Sequence, residues 1–202
     1  MRTQTKDIQE NLTPADAHRI LAEGNKRFVG NVKAQRDLQS QVLATSTGQF
    51  PFAVVLSCID SRVPAELVFD QGIGDIFSAR IAGNIINEDI LGSMEFACKL
   101  AGSKIVVVMG HTKCGAVHGA CKHVEMGNLT TLLSKVKPAM DKVGANSEYS
   151  PEYAELVSEE NVHQSIREIR EKSPILAELE KNGEIEIVGA MYSVDSGEVT
   201  FY

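Results

Sequence analysis

The sequence predicts an α/β fold with a mostly parallel central sheet flanked by helices and a C-terminal antiparallel hairpin or edge strand. Two unbroken apolar runs rich in β-branched residues, 52–57 and 104–109, are typical of strands that are buried on both faces. Helical patterns lie between the strand candidates, and this alternation favours parallel pairing through crossover helices. Near the C-terminus, 184–191 and 198–202 flank an Asp-Ser-Gly turn, which predicts the hairpin.

The remaining elements follow from capping residues and from apolar spacing. Thr13 and Pro14 form a typical helix start, and the helix that follows ends at Gly30-Asn31. The whole chain, 1–202, is predicted to be a single domain, with 1–35 as an N-terminal helical arm. The other predicted elements are a weaker strand at 75–81, helices over 88–101 and 128–143, a polar stretch from Gly144 to Ser150, a long helix from Pro151, and a helix from Ser173-Pro174 to Asn182-Gly183.

The composition narrows the classes of function. The chain has 202 residues, of which 20 are basic and 27 acidic, and its charge of −7 argues against nucleic acid or an anionic membrane as the main partner. No apolar run approaches the roughly 18 residues of a membrane span, and residues 1–13 lack the apolar core of a secretory signal. The G-x-S-x-G motif of a serine hydrolase does not occur, and one Gly-x-Gly at 72–74 is too weak to indicate a dinucleotide site.

Reactive side chains follow each of the two strongest strand candidates. Cys58 begins a CIDSR segment after the first strand, and His111 and Cys114 belong to a GHTKCG segment after the second. The carboxyl ends of parallel strands line the ligand-binding crevice of open α/β sheets, so we expect the two segments to meet. Two thiolates and one imidazole form a Cys₂His set, which leaves the fourth tetrahedral position of a catalytic Zn²⁺ open for water.

Plainer interpretations of these residue types compete with this site. Cys98, in the middle of an apolar helix, is predicted to be a core residue. His118 and His123 could move protons, but a surface or helix-packing role is the preferred interpretation. Another alternative is a closed, structural metal site built locally after the second strand, with ligands from His111, Cys114, His118, Cys121 and His123. Such a site would leave the CIDSR segment unused.

The C-x-D-S-R motif at 58–62 and the H-x-x-C-G motif at 111–115 resemble those of the β-class carbonic anhydrases. The resemblance extends from the GNKRF segment at 24–28 to the last strands. It implies the reversible hydration of carbon dioxide to bicarbonate and a proton, by attack of zinc-bound hydroxide. It also implies a homodimer with active sites at the subunit interface, often doubled to a homotetramer. The zinc ligands that the resemblance implies are Cys58, His111 and Cys114.

Other residues resemble the plant-like branch of this family. Gln49 matches the glutamine that hydrogen-bonds the substrate in that branch. Phe77 and Phe96 match the aromatic positions that line its carbon dioxide pocket, the second with Phe in place of Tyr. The other branch has a tryptophan three positions before the first cysteine, where this chain has Val55, so its non-catalytic bicarbonate site is not expected here.

Asp60 and Arg62 are the predicted catalytic residues. Two thiolates cancel the charge of Zn²⁺, so an ionised Asp60 beside the metal would raise the pKa of bound water further, or replace the water as a ligand in a closed state. Arg62 can hold Asp60 away through a bidentate pair, and Asp60 then accepts the proton of the zinc-bound hydroxide. The backbone N–H of Gly115 is predicted to bind the bicarbonate oxygen. Activity should rise toward alkaline pH, and a flat profile between about 6.5 and 9 would contradict this.

Two other functions and the location stay open at this point. Relatives with the same motif hydrolyse carbon disulfide or carbonyl sulfide at the same zinc site, and their specificity depends on access and assembly. A non-enzymatic zinc protein or thiol redox sensor would use the same cysteines, but the open coordination position and the Asp60–Arg62 pair argue against it. Reduced thiolate ligands predict a cytoplasmic location, with a periplasmic mature form as the alternative because bound metal protects thiolates.

Overall fold

The structure, a computed structural model, describes residues 3–144 and 148–202. The strands in these residues are β1 (Ala53–Ser57), β2 (Ile76–Arg80), β3 (Ile105–His111), β4 (Glu186–Tyr192) and β5 (Val199–Phe201). They form one sheet in the spatial order β2-β1-β3-β4-β5. The first four strands pair in parallel, and β5 pairs antiparallel with β4. The predicted parallel sheet and its antiparallel C-terminal edge are therefore confirmed.

Helices pack against both faces of the sheet. They are α1 (Lys6–Asn11), α2 (Pro14–Val29), α3 (Leu38–Thr45), α4 (Ala65–Val68), α5 (Glu88–Glu95), α6 (Gly115–Cys121), α7 (Gly127–Ser134), α8 (Lys137–Gly144), α9 (Pro151–Lys172) and α10 (Pro174–Lys181). A 3₁₀ turn at Ala82–Asn84 follows β2, and a π-helical turn at Phe96–Leu100 continues α5.

Two apolar cores lie on the opposite faces of the sheet. Val55 of β1 belongs to the core that includes Leu21 of α2, whereas its neighbour Val54 belongs to the core that includes Val162 of α9. Successive residues of a strand point to opposite faces, so a strand covered on both sides needs apolar residues throughout. This is why the unbroken apolar run of β1 was sufficient to predict a doubly covered strand.

The strand β3 is longer than its apolar run predicts. The sequence suggests an end at Met109, because glycine and histidine follow, but Gly110 and His111 continue the pairing with β4. A Cβ atom at Gly110 would lie 2.7 Å from Sδ of Met191 and 2.7 Å from Cγ2 of Val162. Glycine is therefore required there by close packing against β4 and α9, and not by a turn. The prediction of a loop at these two residues is wrong.

The predicted helix over 128–143 is two helices, α7 and α8. Pro138 is the second residue of α8, and proline fits the first turn of a helix but breaks a helix interior, so it separates the two. The helix predicted over 88–101 is α5 with its π-helical continuation. Of the polar stretch predicted from Gly144 to Ser150, residues 145–147 lie outside the described residues.

Several short helices were missed because their apolar periodicity is weak. Two of them carry capping signals, since the side chains of Thr5 and Asp37 accept hydrogen bonds from the first turns of α1 and α3. The helix predicted from Thr13-Pro14 is confirmed as α2, where Thr13 and Asp16 form a capping box.

Strand register places both cysteine-containing segments at one edge of the sheet. Ser57, the last residue of β1, pairs with Met109 of β3. Cys58 therefore follows β1 at the level of Gly110, where β3 continues for one more residue to His111. The two reactive segments meet at this carboxyl edge, as expected for parallel strands.

Candidate metal centre

Three buried side chains converge at the carboxyl edge of the sheet. Cys58 follows β1 directly, His111 is the last residue of β3, and Cys114 is the N-cap residue of α6. Their ligand atoms all lie within 4.8 Å of one another, and none of the three residues is more than 3% exposed. A tetrahedral ion with Zn–S bonds of about 2.3 Å needs two sulfurs roughly 3.8 Å apart, which is compatible with this spacing.

The imidazole of His111 is oriented as a ligand. Its Nδ1 lies 2.9 Å from the carbonyl oxygen of Thr112, so Nδ1 carries the proton and donates it to that carbonyl. The other nitrogen, Nε2, is buried and has no hydrogen-bond partner among the described residues. An unpaired buried acceptor is costly, and a metal ion at this position removes the cost.

The two cysteine sulfurs share a hydrogen bond and differ strongly in acidity. The hydrogen bond from Cys114 lowers the pKa of Cys58 to about 4, and the same contact, together with burial, raises the pKa of Cys114. The backbone N–H of Gly83 also donates to the Cys58 sulfur, at 3.3 Å. Thiolates are the form that binds metal, and a divalent cation at this site would replace the shared proton. The donor set therefore fits Zn²⁺.

Asp60 and Arg62 form a bidentate pair beside the three ligands. Arg62 Nε donates to Oδ1 of Asp60 at 2.9 Å, and Nη2 donates to Oδ2 at 2.7 Å. These side-chain hydrogen bonds lower the pKa of Asp60 to about 2. The backbone N–H of Arg62 adds a third bond to Oδ1 at 2.9 Å. Asp60 is thus ionised and turned toward Arg62, and its carboxylate is not part of the cluster of ligand atoms.

The other predicted substrate residues are not gathered around this cluster within one chain. Gln49 is exposed and precedes β1, so it lies at the amino edge of the sheet, a strand length of about 16 Å from Cys58. Phe77 and Phe96 contact each other edge to face, with ring centroids 6.0 Å apart, and line a cavity of about 710 Å³ beside the edge strand β2. Gly115 alone lies next to a ligand, as the first residue of α6.

The alternative local metal site does not form. In the described residues, the group formed by Cys58, His111 and Cys114 is the one set of three possible ligands close enough to hold an ion. His118 instead lies with its Nδ1 2.9 Å from the Tyr149 hydroxyl. Cys98 is buried in the core, as predicted, and burial raises the pKa of its thiol to about 12.

Sequence reasoning missed the residues that hydrogen-bond to the 3₁₀ turn next to the Cys58 sulfur. Asn161 Nδ2 donates to the carbonyl oxygen of Gly83 at 2.8 Å, and Ser165 donates to that of Asn84 at 3.1 Å. Gly83 and Asn84 both have positive φ, and Gly83 is the donor to the Cys58 sulfur. A signal was present, because Asn161 and Ser165 are polar residues one turn apart on the apolar face of a predicted helix.

The comparisons with known proteins agree with this geometry. A family model described as carbonic anhydrase matches residues 53–199, which include both motifs. The fold is similar to the solved structure of the β-carbonic anhydrase CcaA, with a TM-score of 0.74 and 27% identity, over 92% of this chain and 94% of that one. The chain belongs to the β-carbonic anhydrase family. The resemblance inferred from the two motifs is confirmed.

Curated carbonic anhydrases are similar over nearly the full chain. The chain is 34% identical to carbonic anhydrase 2 of Mycobacterium tuberculosis, over 93% of this chain and 92% of the relative. It is 32% identical to the carbonic anhydrase of Mycolicibacterium smegmatis, over 94% of this chain and 93% of the relative. The prediction of an enzyme of the carbonic anhydrase type is confirmed. Among the helices described, none combines the length and the apolar character that a membrane crossing requires.

Proposed function

We propose that the chain binds Zn²⁺ through Cys58, His111 and Cys114 and uses it for the reversible hydration of carbon dioxide to bicarbonate and a proton. The observation that carries the proposal is the convergence of three buried donors from two separate segments. When bound there, Zn²⁺ lowers the pKa of a water in the fourth position, so that a nucleophile is available near neutral pH. Three protein ligands favour a catalytic ion, because structural zinc sites use four.

Asp60 is assigned the role of hydrogen-bond acceptor for the nucleophile. Its pKa of about 2 keeps it ionised at neutral pH, so it can accept a hydrogen bond and cannot donate one. The three bonds from Arg62 use both lone pairs of Oδ1 and one of Oδ2. The remaining lone pair on Oδ2 is free to accept a hydrogen bond from the attacking nucleophile and thereby to orient it toward carbon.

Arg62 is assigned the role of holding Asp60 off the metal. An anionic carboxylate beside a divalent cation would otherwise compete for the fourth position, as proposed for the closed state. Arg62 is well suited to prevent this because its planar fork matches a carboxylate, which a lysine cannot do. The backbone N–H of Gly115 has no acceptor within its own helix, since it lies in the first turn of α6, and we assign it to the bicarbonate oxygen.

We propose that a second copy of the chain completes the substrate pocket. Gln49, Phe77 and Phe96 carry the predicted substrate contacts, yet a single chain leaves them away from the zinc ligands. Phe96 is 51% exposed, and the cavity it lines adjoins β2, whose outer edge has no strand partner among the described residues. Such edges are natural sites of pairing between chains. A homodimer, alone or doubled to a homotetramer, therefore supplies the residues that complete the substrate pocket.

The test is a stopped-flow assay of carbon dioxide hydration on the purified protein, combined with metal analysis. We expect one zinc per chain, and loss of hydration when a strong chelator removes it, with recovery on adding Zn²⁺. Unchanged activity after zinc loss would disprove the proposed mechanism. Hydrolysis rates measured in parallel with carbon disulfide and carbonyl sulfide identify the preferred substrate. We expect carbon dioxide to react fastest.

We also propose a cytoplasmic location, because metal-free cysteines, the acidic Cys58 above all, need a reducing compartment while the protein folds and takes up metal. Fractionation of the source cells with an antibody against the chain tests this. Recovery in a periplasmic fraction would contradict it.

A further inference from the structure

The residue before the ligand Cys114 has an unusual backbone conformation. Lys113 has φ of +56°, in the left-handed region that residues with a side chain rarely adopt. The ligand that follows depends on this turn, because Lys113 reverses the chain between the end of β3 and the start of α6. A strained residue at such a point persists only when its surroundings hold it.

Two side chains hold the backbone of Lys113. Glu155 of α9 accepts a hydrogen bond from the Lys113 N–H, with Oε1 2.7 Å from the nitrogen. Arg62 Nη2 donates to the Lys113 carbonyl oxygen at 3.2 Å, with the same nitrogen that donates to Asp60. One turn therefore connects α9, the ligand Cys114 and the Asp60–Arg62 pair.

We propose that Glu155 is a positioning residue for this site: by fixing the Lys113 turn, it sets the place of the Cys114 sulfur and of the Arg62 guanidinium. The inference rests on the proposed zinc site and deepens it. Glu155 is not part of the cluster of ligand atoms, and its hydrogen bond is to the backbone of Lys113, so it acts through that residue. Its contact is to a backbone N–H, and a charged acceptor makes a short, strong bond there.

The supporting helix α9 is held in place by packing that does not involve this contact. Ala154 and Val157, the neighbours of Glu155 on the inner face of α9, are fully buried in the core, and the rest of the helix packs against β3 and β4. Loss of the Glu155 carboxylate would therefore leave α9 in place and release only the turn. This predicts a local effect on metal retention and on the chemical step, with a small effect on global stability.

The polar surroundings of the Glu155 carboxylate fit this positioning role. Nε2 of His118 lies 3.7 Å from Oε1, on the helix α6 that begins at Cys114. The second oxygen, Oε2, is buried and has no hydrogen-bond partner among the described residues. Keeping a partly unsatisfied carboxylate here is costly. A buried oxygen without a partner needs an explanation, and the hydrogen bond that Oε1 accepts from the Lys113 N–H supplies one.

The test compares Glu155→Ala, which removes the acceptor, with Glu155→Gln, which keeps an amide oxygen of the same reach. Glu159→Ala, at an exposed position on the same helix, is the matched control. The measurements are the rate of zinc loss to a chelator, the absorption of the Co²⁺-substituted protein, and kcat and KM for hydration. We expect zinc loss to be about tenfold faster or more in Glu155→Ala, as for other residues that support metal ligands. A changed sulfur-to-cobalt band and a fall in kcat larger than any change in KM should accompany it.

Rescue separates positioning from general destabilisation. Glu155→Gln should restore zinc retention and the cobalt spectrum, and Glu159→Ala should match the unsubstituted protein. Lys113→Gly in the Glu155→Ala background should also restore zinc retention in part, because glycine adopts positive φ without strain. This double variant also covers the case in which Glu155→Ala alone fails to fold.

The proposal is overturned if Glu155→Ala keeps the zinc-loss rate and cobalt spectrum of the unsubstituted protein, or if neither Glu155→Gln nor Lys113→Gly rescues it. Failure of the proposed function is a different result, since the unsubstituted protein would then hold no zinc or would hold it and hydrate no carbon dioxide. In the second case, the retention and spectral measurements still decide the role of Glu155.

Discussion

The carboxyl edge of the sheet and the outer side of β2 differ in completeness. At the carboxyl edge, Cys58, His111 and Cys114 are buried within one chain, with hydrogen bonds to the Cys58 sulfur and to Nδ1 of His111. On the outer side of β2, Phe77 and Phe96 line an open cavity, and Phe96 is half exposed. One chain is thus sufficient to gather the three candidate metal ligands, but it leaves the apolar part of the proposed substrate pocket unfinished. Changes in the two regions should therefore have separable effects.

The largest effect is expected from removing a metal ligand. Cys58→Ser should abolish zinc binding and hydration together, because a serine hydroxyl stays protonated and is a poor ligand for Zn²⁺. Metal analysis and the hydration assay measure this, with the core residue changed in Cys98→Ser as control for loss of a thiol. Full zinc content in Cys58→Ser would contradict the assignment of the site.

A smaller but still large effect is expected from Asp60→Asn, which removes the charged hydrogen-bond acceptor and leaves the ligands intact. Hydration should fall by about 10²-fold, the usual cost of losing the orientation of a reacting group. Zinc content should not change, and this separates the variant from Cys58→Ser. Equal activity of Asp60→Asn and the unsubstituted protein would remove Asp60 from the mechanism.

The β2 region is tested by Phe96→Glu, which places a charge on the proposed contact between copies. We expect the molar mass from light scattering to fall to that of a single chain, and hydration to fall with it, while zinc content stays complete. Leu156→Glu, an equally exposed position on α9, serves as control. If Phe96→Glu stays oligomeric and active, the β2 side is not where the second copy completes the pocket.

The smallest effect on activity is expected at a buried ion pair outside both regions. Asp70 is hydrogen-bonded to Arg27 at 2.5 Å and to Arg36 at 2.6 Å. Burial by itself would raise the pKa of Asp70, but these arginines outweigh it, and the pKa is lowered. Asp70→Asn should cost about 2 to 4 kcal/mol of unfolding free energy at neutral pH, because it removes the buried negative charge that faces two guanidinium groups.

The pH dependence of that cost has a definite sign. A carboxyl whose pKa is lowered on folding stabilises the protein above its unfolded pKa, about 3.9, and the stabilisation is lost as pH falls through the folded value. Denaturant unfolding of both proteins should therefore converge at acid pH, while zinc content at neutral pH stays equal. A difference that persists unchanged at low pH would show that the ion pair is not its source.

Much of the fold could be predicted because its signals are local. The apolar run of β1, the capping box of α2 and the turn before β5 each depend on residues within one element. The errors arose where distant packing decides the outcome. Glycine at position 110 predicts a loop, but this residue continues β3. Val162 and Met191 approach it so closely that only glycine fits there.

In the candidate site, too, local signals predicted some residues and missed others that depend on packing. Cys58, His111 and Cys114 were found from their spacing after two strands, and Asp60 and Arg62 from their adjacency. Glu155 could not be found in this way, because its partner Lys113 is 42 positions away and the contact is to a backbone N–H. A backbone contact leaves no mark in the identity of the residue that it touches.

By itself, the sequence determined the donor atoms, their order along the chain and the parallel strands that carry them, since hydrophobic patterning and residue chemistry are properties of short segments. Only the tertiary structure decided that the imidazole of His111 presents a free Nε2, that Gly83 donates to a ligand sulfur and that Gln49, Phe77 and Phe96 stand apart from the metal centre. The physical reason is that hydrogen-bond geometry and distance depend on how whole elements pack, and packing is a property of the assembled chain.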